Sequence, residues 1–282
     1  MGSYLYDHGD AKSPLSEIIK TPDFFKPVTD ALYSPMRQIG ELLDRPEDQV
    51  VYMVASTVVL FANLYLYRFN GTPFQRQLYS TAMGLLIHYY VFGLSGLASL
   101  ANNLISYITI VMLPRSQSHI AVFAVSGLGL ALAQAHRQIY FYGFNGLDVP
   151  MNLMFNFSRV TSLACCIRDG DLIKRAKASG KEANLRPREK AYAVEEVPSL
   201  FDFLSYLYFC GAAISGPWYE YKDWRQMIDQ TGDFKHVPST AKAAVLRYFV
   251  AWIRVATGAI LCIYFDDMFP LTEEFANDLN ML

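Results

Sequence analysis

The residues able to do chemistry are few, and most lie in apolar surroundings. There are five histidines, at His8, His88, His119, His136 and His236, and four cysteines, at Cys165, Cys166, Cys210 and Cys262. No GxSxG, HExxH or P-loop pattern occurs, so hydrolase-elbow, zinc-protease and nucleotide-phosphate chemistry have no sequence support. The cysteines sit in apolar runs without a CxxC spacing, as small hydrophobes do, and offer neither a metal set nor a disulfide framework. In the charge-free run from Gln77 to Pro114, His88 is the only titratable side chain besides tyrosines, and it either lines a polar cavity or is hydrogen-bonded in the core. Arg159 lies near the middle of the apolar run Met151–Ile167. An arginine at a helix centre costs about 2.5–3.5 kcal/mol on insertion scales, and each Leu, Phe or Val returns only about 0.3–0.6. Arg159 must therefore face the protein interior or a wet cavity, as an anion contact or as a structural partner. A basic run follows, with eight Lys and Arg against four acids between Arg168 and Lys190. It suits a cytosolic topogenic loop, and also the attraction of phosphate-bearing ligands or anionic headgroups.

The elements that must position these groups are membrane helices. Apolar residues make up 52% of the chain, and charged residues 18% against roughly 25% in soluble domains. The net charge of −2 gives a nucleic-acid partner no electrostatic support. Residues 1–48 read as a polar arm with five prolines and no signal-peptide core; amphipathic pieces lie near Leu15–Ile19 and Met36–Leu43. Val50–Tyr67 is the first span, broken by Asn70-Gly71-Thr72-Pro73. Gln77 to Pro114 carries no formal charge and is long enough for two helices, with a hairpin expected at Gly93, Ser95 and Gly96. Gln117–His136, Met151–Ile167 and Tyr248–Phe265 complete the ordinary candidates.

One stretch is different. From Phe203 to Tyr219 the chain is uncharged for about 17 residues, the lower limit for crossing a bilayer. Gly211, Gly216 and Pro217 weaken its far end as a helix. Two readings fit: a re-entrant segment walling an internal cavity, or a membrane helix that stops at a Gly-Pro turn. Irregular backbone at that depth survives only where protein or water covers it.

The order of Lys190-Ala191-Tyr192-Ala193, Val197-Pro198-Ser199-Leu200, the aromatic run Tyr206–Phe209 and Gly216-Pro217 resembles the membrane-bound O-acyltransferase (MBOAT) family, and within it the lysophospholipid acyltransferase branch. Asp169-Gly170 after the helix containing Arg159 adds to the likeness, which extends from about Gln49 onward. The resemblance implies an all-α, polytopic transmembrane helical bundle of about six to seven membrane segments, one of them re-entrant. It implies an arm over residues 1–48 and an N-terminal part of the acyltransferase domain over 49–282. It also implies transfer of a fatty acyl group from acyl-CoA, a co-substrate rather than a bound cofactor, to a lysophospholipid in the endoplasmic reticulum membrane. The substrate-tunnel candidates are Arg159, Tyr208, Gly216, Pro217, Tyr219 and Tyr221. The family's base is a histidine in a Trp-His-Gly setting, helped by an upstream asparagine. No Trp-His pair occurs here, so both are expected beyond Leu282 and the chain alone is expected to be inactive. The competing readings are a noncatalytic scaffold derived from the same fold and a multi-pass transporter.

The positive-inside rule places Arg168–Lys190 in the cytosol; with a re-entrant central stretch, the acidic segment after Asp266 and the N-terminus both fall in the lumen. The loop carrying the sequon Asn70-Gly71-Thr72 is then cytosolic. Asn70 is expected to stay unglycosylated in microsomes, and an endoglycosidase-sensitive mass shift at Asn70 would reverse the assignment.

Overall fold

The computed structural model describes residues 26–43, 47–140, 148–214, 216, 218–235, 238 and 240–268. The described residues are helices and turns without a strand. The segment around Leu15–Ile19, the whole of the tail after Met268 and Pro217 lie outside them.

The helices are α1 (Lys26–Leu43), α2 (Glu47–Arg68), α3 (Pro73–Phe92), α4 (Gly96–Met112), α5 (Arg115–Tyr140), α6 (Val149–Ala178), α7 (Pro187–Tyr192), α8 (Leu200–Leu207), α9 (Tyr221–Asp229) and α10 (Ala241–Met268). Two compact units divide the chain, 1–235 and 236–282, and α10 is the described helix of the second. Its side chains are mostly exposed, Leu246, Phe249, Ile253 and Ile260 among them.

Among the described residues, three helical stretches are long and apolar enough to cross a membrane: Glu47–Arg68, Pro73–Met112 and Arg115–Tyr140. The second holds most of the charge-free run that begins at Gln77, and it folds back where expected. Gly93–Ser95 forms a 3-10 turn, and Gly93 takes a φ of 56° that side chains avoid. The break before α3 is equally local. Thr72 accepts from the Gln75 amide while the Gln75 side chain accepts from the Thr72 amide, with Pro73 at the first helical position. Outward faces of these helices expose Phe61, Leu86, Ile120, Phe123, Leu128 and Leu132, as lipid contact requires.

Two expectations need correction. The basic segment is not a loop from Arg168: α6 runs on to Ala178, so Asp169 and Gly170 are helical. At 30 residues it is about 45 Å long, some 15 Å more than a hydrocarbon core. Asp171–Arg175 (2.8 Å) supports the extension as an i,i+4 pair, and Gly170 admits the backbone of Val194, whose amide donates to the Cys166 carbonyl (2.9 Å). The second concerns the arm, read above as polar with a short amphipathic piece near Met36–Leu43: its residues from Lys26 form the continuous helix α1. Tyr33 is buried, stacks on Tyr90 with ring centroids 5.6 Å apart and donates to the Tyr90 carbonyl. Amphipathy about Met36–Leu43 is present, with Ile39 and Leu42 exposed.

Loops gather at two ends of the first unit. At one, Arg76 donates to the carbonyls of Phe69 (3.3 Å) and Met227 (3.4 Å), and Arg115 to that of Glu195 (3.1 Å). The Gly93–Ser95 turn and the Arg137–Asp148 pair (2.8 Å) belong to the other.

The central stretch enters and leaves at the first of these ends. Ser199 caps α8 by accepting from the Asp202 amide, and the helix stops after eight residues. A 3-10 turn at Cys210–Ala212 follows; Gly216 and Trp218–Glu220 lie outside any helix, and α9 begins at Tyr221. Asp202 at the start meets Arg225 beyond the finish at 3.0 Å. The stretch is therefore a re-entrant hairpin and not a spanning helix. Its tip lies so close to α3 that a Cβ on Gly84 would sit 1.7 Å from the Tyr208 carbonyl oxygen. Gly84→Leu is expected to lower stability by about 1–3 kcal/mol through overpacking, read as a reduced melting temperature of detergent-solubilised protein against wild type.

Candidate functional site

The hairpin is lined by buried polar side chains from α4 and α6. Asn152, Asn156 and Arg159 lie at i, i+4 and i+7 on α6, so they share one face. Ser99 donates to Asn152 Oδ1 (2.6 Å), while Asn156 Nδ2 donates to the same oxygen (2.9 Å) and to Ser99 Oγ (3.3 Å). Asn152 Nδ2 reaches the Ala213 carbonyl (3.2 Å) in the hairpin, and Asn103 Nδ2 reaches the Tyr208 hydroxyl (3.1 Å). The edge-on ring of His88 lies 5.1 Å from that of Tyr208. His88 Nε2 is 3.4 Å from the Gly96 carbonyl, which makes it a hydrogen-bonded core histidine.

Arg159 is 1% exposed. Its Nη1 donates to Leu207 O (3.3 Å), Ala212 O (3.3 Å) and Asn156 Oδ1 (3.5 Å), and its Nη2 to Gly216 O (3.4 Å). The guanidinium carbon stands 4.8 Å from the centroid of the Tyr219 ring. The two limbs are stitched reciprocally: Tyr206 donates to the Tyr219 carbonyl (2.8 Å) and Tyr219 to the Tyr206 carbonyl (2.6 Å). Tyr221 and Trp224 complete an aromatic group around Tyr206.

Charge collects at the open end. Gln77 Nε2 donates to Asp202 (2.8 Å), while Arg225 bonds Gln77 Oε1 (3.2 Å), Asp202 (3.0 Å) and Asp229 (2.9 Å). Glu220, largely buried, accepts from Ser162 (2.7 Å) and faces Arg188 at 3.7 Å; Arg188 also stands over Trp218 at 5.7 Å. Farther out, the Lys190 ammonium holds the exposed Glu182 carboxyl below its usual range. Among the described residues, no group of His, Cys, Asp and Glu is placed to hold a metal ion.

The profile of the membrane-bound O-acyltransferase family matches residues 48–276, most of the chain. The chain belongs to that family. It is 29% identical over 199 residues to "Membrane-bound glycerophospholipid O-acyltransferase 2" of Gallus gallus, covering 69% of this chain and 37% of the relative. "Lysophospholipid acyltransferase 6" of Drosophila melanogaster is 25% identical over 264 residues, 86% of this chain and 36% of its own length. "Lysophospholipid acyltransferase 2" of Arabidopsis thaliana is 28% identical over 217 residues, with 74% and 43% covered. The chain thus spans about two fifths of the length of the curated relatives it matches.

In this MBOAT protein, three of the sequence-predicted residues come together and the others stand elsewhere along the stretch. Arg159, Gly216 and Tyr219 are in direct contact, Tyr208 stands at the turn after α8 and Tyr221 at the exit; Pro217 lies outside the described residues. Sequence reasoning passed over Asn152 and Asn156. Their signal was available, since they share the helix face of Arg159. Asn156→Ala removes the Nδ2 group that donates to Ser99 Oγ and Asn152 Oδ1 in a buried network. A loss of about 1–3 kcal/mol is expected, measurable as a lower denaturation midpoint in detergent, whereas substitution of exposed Met154 should be near neutral.

Proposed function

We propose that this chain builds the lipid-facing wall of an acyl-CoA-dependent lysophospholipid acyltransferase of the endoplasmic reticulum membrane, in which a fatty acyl group passes to a free lysophospholipid hydroxyl. The observation that carries this reading is the re-entrant hairpin, an aromatic segment folded into the bundle within the family match. Acyl transfer needs a base near the acceptor hydroxyl and a dry slot for the chain. The hairpin supplies the second. Tyr208, Gly216, Pro217, Tyr219 and Tyr221 are proposed as slot wall, with Arg159 behind them.

Nothing in this wall is a convincing base. The described histidines stand apart from the hairpin's open face or inside its packing, and none has a Trp-His-Gly setting. The base is therefore assigned to residues other than these, as in the family pattern. A transporter would need breaks at matching places in two halves. The described breaks, a tight turn at Gly93–Ser95 and a hairpin over residues 208–220, do not match.

The test uses membranes containing the 282-residue chain. A photoactivatable lysophospholipid should label residues 203–221, and unlabelled lysophospholipid should compete it away. Radiolabelled acyl-CoA should give transfer no faster than membranes lacking the chain. Labelling that lysophospholipid cannot compete would sink the lipid-slot reading, and transfer above background would place the base within these residues.

A further inference from the structure

The geometry points to a role for Arg159 other than the anion contact that its intramembrane position suggests: it is a positioning residue, a guanidinium clamp that holds the tip of the re-entrant hairpin shut. This rests on the proposed function for its meaning in catalysis, but not for its geometry.

The hairpin breaks helical pairing in the middle of the bundle. Leu207 is the last residue of α8, so its carbonyl belongs to the orphaned set at a helix end. Ala212 closes the 3-10 turn, and Gly216 lies beyond it, outside any helix. Lipid offers no donor to such carbonyls, and the bundle must supply one. Arg159 supplies donors to all three at 3.3–3.4 Å, from one residue on a neighbouring helix. These carbonyls lie on both sides of the turn, so the fork sets its curvature as well as satisfying it.

The guanidinium meets further uncharged groups. Asn156 Oδ1 accepts from Nη1, one face meets the Tyr219 ring, and a Cβ on Gly216 would be 3.2 Å from Nη2. None of these partners is an anion. Only Nε is without a partner among the described residues, and it is buried. Lysine would be a poor substitute, because one compact ammonium lacks the planar fork that spans carbonyls on two limbs.

Cys210, in the 3-10 turn and 0% exposed, is a built-in reporter of the tip. The experiment measures labelling by a membrane-permeant maleimide in membranes containing the full chain, with Cys165, Cys166 and Cys262 changed to alanine. A parallel protein carries Val122→Cys, a fully buried position on α5, with Cys210 also changed to alanine. Arg159→Ala should speed Cys210 labelling at least about tenfold by opening the tip locally, and leave position 122 protected. Methylguanidinium should restore much of the protection and methylammonium should not, a distinction that a general packing defect would not make. Continued protection of Cys210 in Arg159→Ala overturns the clamp and returns Arg159 to the anion-contact reading. Equal rescue by methylammonium also overturns it. If both reporters open, Arg159→Lys decides: opening confined to Cys210 supports the clamp, and protection or opening of both overturns it. Thiol labelling does not depend on acyl transfer, so failure here leaves the proposed function standing, and failure of transfer leaves the clamp standing.

Discussion

A peptide group inside a bilayer must be hydrogen-bonded by the protein, because hydrocarbon supplies neither donor nor acceptor. In most of this chain the helices meet that demand by themselves. Between Leu207 and Glu220 they cannot, since the backbone turns back on itself within eight residues of entering. The rest of the first unit is arranged around the deficit. Arg159 and Asn152 reach in from α6 to carbonyls on both sides of the turn, Ser80 accepts from the Cys210 amide (3.4 Å), and two tyrosines trade bonds between limbs. The polar face needed for this explains why α6, although 30 residues long, is not among the stretches apolar enough to qualify as spans.

Local chemistry was the most legible part of the sequence. Asn70-Gly71-Thr72-Pro73 and Gly93–Ser95 break the chain where capping and glycine geometry say they should. Arg159 was placed inward on energetic grounds alone, and its burial agrees. The residue pattern left the central stretch open between a spanning helix and a re-entrant one, because nothing local shows where the chain goes after Gly216. The deciding contact, Asp202 with Arg225, joins residues on two short elements, and Gln77 joins them from more than a hundred residues away. The end of α6 was misjudged for a related reason. Charge composition signals water, and a helix projecting into water satisfies it as well as a loop does.

The two ends of the hairpin are secured by different physics. At the tip, a buried guanidinium meets uncharged carbonyls and an aromatic face, out of reach of counterions. At the mouth, Arg225, Asp202 and Asp229 form ion pairs whose side chains are each about one quarter to two fifths exposed, where salt screens them and individual pairs are worth little. The segment is thus anchored most firmly at its deepest point, the part most directly associated with the proposed slot.

Gly84 has a bearing on inheritance. Its missing side chain lets α3 touch the Tyr208 carbonyl directly, main chain against main chain. Any descendant sequence that preserves this path through the bundle has to leave position 84 bare, whatever lipid it handles. The residue is a record of route and carries no information about cargo; differences in cargo must be written into side chains elsewhere around the turn.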